Sequence, residues 1–214
     1  MKWIHSLSKA NINYHVYQLN KNDSILYFHT LTNNKYLIIL EGIVCIFKIF
    51  NNKKKFAIGV LKKDHTITID LSNQNKQYYY KLVAFDKTYI ISFSLTFNIN
   101  NYINPQILFY IIQSQKLTIK KYELFNCIFK QKYTKYKIIQ FILFLFIEFG
   151  IISNKKIYIS FDLSQEKLSL ITGINKNTIN HIIHILVNQK IIHFSYKKKI
   201  YIYDPYRVFS VYCY

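Results

Sequence analysis

The sequence predicts an α+β chain in three parts: an antiparallel β-roll over residues 1–103, one long helix over 104–132, and a helix pair with a basic hairpin within 133–214. Three observations predict it. Short apolar runs broken by turn residues fill the first part; a four-three apolar spacing follows Asn104-Pro105; and two short helical patterns meet at Gly173, ahead of two strand-like runs that flank three lysines.

The runs Ile25–Phe28, Tyr36–Leu40, Ile43–Phe50, Phe56–Leu61, Thr66–Leu71, Tyr78–Phe85 and Tyr89–Leu95 read as strands. Turn signals separate them at Thr32–Asn34, Glu41-Gly42, Asn51-Asn52 and Ser72–Asn75, a spacing that suits an antiparallel roll or barrel. Asn104 then caps a helix with Pro105 in its first turn. Along this helix Leu108, Ile112, Gln115, Ile119, Tyr122, Asn126 and Phe129 form the seam of a two-helix coiled coil, interrupted by polar Gln115 and Asn126. Periodicity leaves open whether that seam meets a second copy or the chain's own sheet; a homodimer is the preferred expectation because it presents two reading heads.

In the last part, Ile138–Ile152 is the most apolar window. Gln140 and Glu148 interrupt it, and it falls short of the roughly 20 residues that cross a bilayer, so a buried helix is expected and no membrane partner. A strand is expected at Ile157–Phe161. Ser164 is placed as N-cap of a short helix whose Leu168 and Ile171 share a face, and Gly173 supplies the turn. In the second helix Ile179, Ile182, Ile183 and Leu186 fall at i, i+3, i+4 and i+7, leaving Lys176, Asn177, Asn180, His181 and His184 outward. This is a helix-turn-helix. The runs Ile191–Tyr196 and Ile200–Tyr203 flank Lys197, Lys198 and Lys199 as a wing that would touch phosphates and contribute salt-dependent affinity rather than base discrimination.

Composition narrows the function. The formal charge of +19, from 29 basic against 10 acidic residues, favours a polyanionic partner and says nothing of sequence specificity. Arg207 is the sole arginine, while Asn, Ile, Tyr, Phe and Lys abound, which reads as codon drift in an A+T-rich genome such as an organelle's. Cys45, Cys127 and Cys213 make neither a CxxC pair nor a cluster, so no disulfide framework, iron–sulfur or zinc site is suggested. His181 and His184 supply two ligands at most, and no metal is expected. The N-terminus has neither the apolar run of a signal peptide nor the arginines of a transit peptide, so the protein is expected to work where it is made. No Gly-rich phosphate loop, nucleophile elbow or HExxH occurs, and Asp64-His65 and Asp70 have no identifiable partners, so an enzyme is not expected.

The order of roll, long helix and winged helix resembles the CRP/FNR transcription factors. The run from Leu163 to Ile192 and the tail Lys197-Lys198-Lys199-Ile200 through Asp204-Pro205 are similar to the global nitrogen regulators of cyanobacteria and of red-algal plastids. Weaker echoes lie upstream in Ile39–Gly42, Leu82–Phe85 and Phe146–Gly150. The resemblance implies a degenerate, cyclic-nucleotide-binding-like roll, a dimerisation helix and a DNA-binding head. It places Lys176, Asn177 and His181 at base-reading positions and suits Thr178 and Asn180 to phosphate or sugar contacts. The family usually has arginine where this chain has Lys176 and His181, so base readout is expected to be altered, because lysine is a point charge and neutral histidine offers a single donor or acceptor.

The resemblance also implies a small anionic effector, 2-oxoglutarate or a cyclic nucleotide, between roll and long helix. Here the family's arginine positions correspond to Tyr78 or a neighbour and to the vicinity of Thr118, and the phosphate-cradling segment is Ile67-Thr68-Ile69 without glycine. Lys116, Lys120 and Lys121 are the remaining cations near it. Binding of 2-oxoglutarate is therefore expected to be weak or absent, and of cyclic nucleotides absent. The expected partners are double-stranded DNA, RNA polymerase and a second copy, in a plastid. Two other readings stand beside this one: a degenerate protein that coats nucleic acid through charge, and a protein-interaction module with a vestigial DNA head.

Overall fold

The computed structural model describes residues 2–27, 35–68, 77–95, 104–153, 156–194 and 200–202. The chain divides into two compact units, residues 1–125 and 126–214.

The first unit opens with helix α1 (Lys2–Lys9), which was not anticipated, and buries its Trp3 and Leu7. Eight strands follow: β1 (Tyr14–Leu19), β2 (Ser24–Tyr27), β3 (Lys35–Glu41), β4 (Ile43–Phe50), β5 (Lys55–Lys62), β6 (Thr66–Thr68), β7 (Tyr78–Ala84) and β8 (Thr88–Ser94). They form two antiparallel sheets, ordered β1-β8-β3-β6 and β2-β7-β4-β5. The expected roll is present. Strand β1 was missed because it is an edge strand, largely exposed, with no apolar run to announce it. The expected turns at 32–34 and 72–75 and the ends of two expected strands, Phe28 and 69–71, lie outside the described residues.

Strand β3 shows why its sequence is a continuous apolar run instead of an alternation. Leu37 and Ile39 point into the roll interior with Val44, Ile46, Leu61, Leu82 and Ile90, whereas Ile38 and Leu40 pack outward with Trp3, Leu7, Ile91 and Phe93. Both faces of the strand are covered, so polar residues on either would be buried. Ile107 and Ile111 of α2 (Pro105–Phe129) complete that outer layer. Asn104 caps α2 as expected, its Oδ1 accepting the Gln106 N–H at 2.9 Å.

The second unit holds α3 (Thr134–Phe149), strands β9 (Gly150–Ser153) and β10 (Lys156–Ile159), helices α4 (Gln165–Thr172) and α5 (Lys176–Asn188), and strands β11 (His193–Phe194) and β12 (Ile200–Ile202). Its sheet is antiparallel, in the order β11-β12-β10-β9. The expected buried helix is α3, which inserts Ile138, Phe141, Ile142 and Leu145 into the core. It stops three residues earlier than the apolar window suggests. Gly150–Ser153 turn away to pair with Lys156–Ile159, and Ile151 and Ile152 are exposed. The hydrophobicity that extended the window past Phe149 belongs to a strand, a distinction that a short apolar run does not encode. Among the described residues no helix is long and apolar enough to cross a membrane.

Candidate nucleic-acid interface

Helices α4 and α5 are held at their ends by side chains that the backbone requires. Ser164 accepts the Lys167 N–H at 3.2 Å and caps α4. Gly173 ends α4 in the left-handed region at φ 69° and donates its N–H to the Ser169 carbonyl. A side chain at Gly173 would meet nothing within 4 Å, so backbone conformation alone calls for glycine there. Ser169 Oγ donates to the Ile174 carbonyl at 2.7 Å and Thr172 Oγ1 to that of Leu168 at 2.7 Å, which ties the turn to α4. Asn175 then caps α5, accepting the Asn177 N–H at 2.9 Å. That cap was legible as an Asn before the first periodic residue, yet sequence reading had named only Ser164.

The inward stripe is as the spacing predicted: Leu168 and Ile171 of α4 and Ile179, Ile182, Ile183 and Leu186 of α5 are buried. Lys176, Asn177, Thr178, His181 and His184 are exposed and form one polar face over the first turns of α5. Asn180 departs from the outward set. It is half-buried, and its Oδ1 lies out of solvent without a hydrogen-bond partner. Position 180 follows the buried Ile179 and lies on the flank of the helix, which a spacing argument drawn only from apolar residues does not resolve. Lys197, Lys198 and Lys199 lie outside the described residues.

Lys176 is engaged within the protein. Its Nζ forms an ion pair with Oε1 of Glu166 on α4, both side chains remaining about half exposed. The Glu166 carboxyl is held down at about 2 by the Lys176 hydrogen bond first, then by its own backbone N–H and the Ser164 hydroxyl. Sequence reading missed Glu166, because a contact ten positions away depends on the angle at which the turn sets α5 against α4. Among the described residues no three His, Cys, Asp or Glu side chains gather as a metal site.

On α2 the buried residues are Ile107, Ile111, Ser114, Thr118, Phe125 and Ile128. The expected seam divides. Ile112 and Ile119 are 61% and 55% exposed, Tyr122 packs on the roll, and the Phe129 ring lies 5.8 Å from that of Phe141. The helix is therefore two-sided, with one face on the roll and apolar Phe109, Ile112 and Ile119 open to solvent.

The roll-facing side carries hydroxyls that a hydrophobic count overlooks. Thr118 Oγ1 accepts the Thr66 N–H at 3.0 Å and directs its own proton between the carbonyls of Thr66 and Ser114. Ser114 Oγ accepts from Thr66 Oγ1 and donates to the Asp64 carbonyl. Asp64 in turn accepts the Trp3 indole N–H at 3.2 Å. Nearby, His65 is buried with Nδ1 3.0 Å from the Lys62 carbonyl, and burial lowers its pKa. Tyr122 lies over β5 at Gly59, where an added Cβ would come within 2.9 Å of the ring. The Thr118 hydroxyl is committed to Thr66 and Ser114, Tyr122 and Tyr80 pack against the roll core, Lys116 and Lys120 are exposed, and Lys121 is half-buried.

No protein-family model matches the chain. It is 29% identical over 206 residues to a protein of the red alga Porphyra purpurea named as an HTH-type transcriptional regulator, ycf28, covering 95% of this chain and 84% of that one. Among solved structures it superimposes on a cyclic nucleotide-binding domain containing protein of Listeria monocytogenes with a TM-score of 0.74 at 14% identity, covering 94% of this chain and 97% of that one. A CRP-family transcriptional regulator of Thermus thermophilus matches at 0.70 and 12%, covering 90% and 94%. The fold is that of the CRP/FNR regulators. FixK2 of Bradyrhizobium japonicum shares it, at a TM-score of 0.70 and 12% identity over 93% of this chain and 97% of that one. At these identities a CRP/FNR fold is kept by burial pattern and turn geometry, not by individual side chains.

Proposed function

We propose that the chain is a dimeric DNA-binding transcription regulator of the CRP/FNR type that works in a plastid. The observation that carries this reading is the exposed α5 face of Lys176, Asn177, Thr178 and His181, held on a capped helix-turn-helix whose inward stripe is apolar. Asn177 offers the paired donor and acceptor that match adenine, while Lys176 and His181 provide single contacts to base acceptors or phosphates. The wing lysines 197–199 add phosphate contacts and salt dependence. The open apolar seam of α2 pairs two copies, so that two α5 helices enter successive major grooves about ten base pairs apart on a palindromic site. RNA polymerase is the proposed protein partner, and no catalytic step is assigned.

A second reading keeps the fold but removes the specificity: a net charge of +19 supports binding to any nucleic acid. Selection of bound sites from a random DNA pool at physiological salt, followed by sequencing, separates the two. A short palindrome supports the regulator, whereas strong salt-sensitive binding without an enriched sequence supports the charge-driven protein.

A further inference from the structure

Among the described residues of α4 and α5, Glu166 is the sole acid, and it stands where a DNA-binding head would be expected to shed negative charge. Its carboxylate is anchored on its own helix by its own backbone N–H and by the Ser164 hydroxyl, so it stays satisfied if Lys176 departs. Lys176 is the member that can leave. It is the first residue of α5, where the positive end of the helix dipole disfavours a cation and Glu166 offsets that cost. An exposed ion pair of this kind is easily exchanged for another anion or acceptor.

We propose that Glu166 moderates DNA binding by competing for Lys176: the ammonium reaches a base or phosphate only by leaving the carboxylate, so each complex that uses Lys176 carries the cost of breaking the pair. On unrelated DNA the pair persists, and one positive charge of the recognition helix is withheld from the phosphates. On the preferred site Lys176 exchanges Glu166 for its DNA acceptor. This inference rests on the function proposed above.

The test uses the full-length protein and fluorescence anisotropy with two duplexes, the selected site and an unrelated sequence, across a salt series. Glu166→Gln is expected to tighten binding to the selected site about fivefold, the scale of one exposed ion pair that no longer has to be broken. On unrelated DNA its log–log salt slope should steepen by about 0.9, as for one more phosphate neutralised. The affinity gain on unrelated DNA should be smaller, because a contact that did not displace the pair is weaker than the pair, so the ratio of the two affinities rises. In the Lys176→Gln background the same change should do almost nothing, which separates release of Lys176 from simple removal of a negative charge.

A larger gain on unrelated DNA than on the selected site, a gain that persists without Lys176, or no change in a variant whose melting temperature matches the parent would overturn the proposal. If no preferred sequence is selected at all, the regulator reading fails, while the exchange is still read from the salt slope on random DNA. Failure to bind any DNA sinks both.

Discussion

Helices α2 and α5 solve the same problem with opposite chemistry. Each buries one stripe in its own unit and leaves a second stripe open, but the open stripe of α2 is Phe109, Ile112 and Ile119, whereas that of α5 is Lys176, Asn177, Thr178, His181 and His184. An open apolar stripe is satisfied by another apolar surface, and a second copy supplies an identical one. An open stripe of donors and cations is already satisfied by water and gives it up only for a partner that returns hydrogen bonds and charge. The buried stripes differ as well. That of α5 is wholly aliphatic, while that of α2 contains Ser114 and Thr118, which meet Asp64 and Thr66 through hydrogen bonds.

The largest effect that could break this comparison is Ile182→Asp. A carboxylate in the aliphatic stripe of α5 has no partner, and the loss expected is at least about 3 kcal/mol, enough to unfold the head. Loss of the head's cooperative melting and of DNA binding together is the predicted result, and a variant that still melts cooperatively and binds would show the stripe assignment to be mistaken. Next in size is Ile112→Glu with Ile119→Glu on α2. Both side chains are exposed in the single chain, so each change should alter its stability by no more than about 0.5 kcal/mol while lowering self-association more than tenfold by sedimentation. Unchanged self-association would mean that this face is not the dimer seam.

Lys176→Ala tests the polar stripe directly. It should remove about 1 kcal/mol of discrimination at one base position, the low end of the range because lysine makes a single contact, seen as relaxed preference in site selection, with the remaining positions unaffected. Equal loss on selected and unrelated DNA would leave Lys176 a phosphate contact. The smallest effect concerns the anchoring of α2. Burial lowers the His65 pKa from its ordinary 6.5, against hydrogen bonds to the Lys63 and Lys62 carbonyls and with some help from the charges of Lys121 and Lys62. In the unfolded chain His65 takes up a proton as pH falls through about 6.5, and in the folded roll only at lower pH. The unfolded state therefore binds more protons in that window, and stability of the roll declines as pH drops below 6.5 and is full above it. Denaturant midpoints at pH 7.5 and 5.5 should show the decline, and His65→Asn should flatten it.

How much of this was legible in the sequence varied with the kind of contact. The strands β3, β4, β5, β7 and β8 announced themselves because both their faces are covered or alternate cleanly. Helix α1 did not, since eight residues carry too few periods to stand out. The candidate site was legible as a helix face, and Asn180 was the exception, because the flank of a helix is neither inward nor outward until its neighbours are placed.

The sequence by itself determined the helix-turn-helix: the caps, the glycine turn and the aliphatic spacing of α5 are local, and a period of 3.6 residues leaves one way to bury them. Only tertiary structure decided which stripe of α2 meets the roll. That helix carries an apolar seam and a second face with hydroxyls at Ser114 and Thr118, and the choice between them depends on acceptors at Asp64 and Thr66, about fifty positions away. The Glu166–Lys176 pair belongs to the same class. Its members are ten residues apart, and the angle of a single turn brings them together.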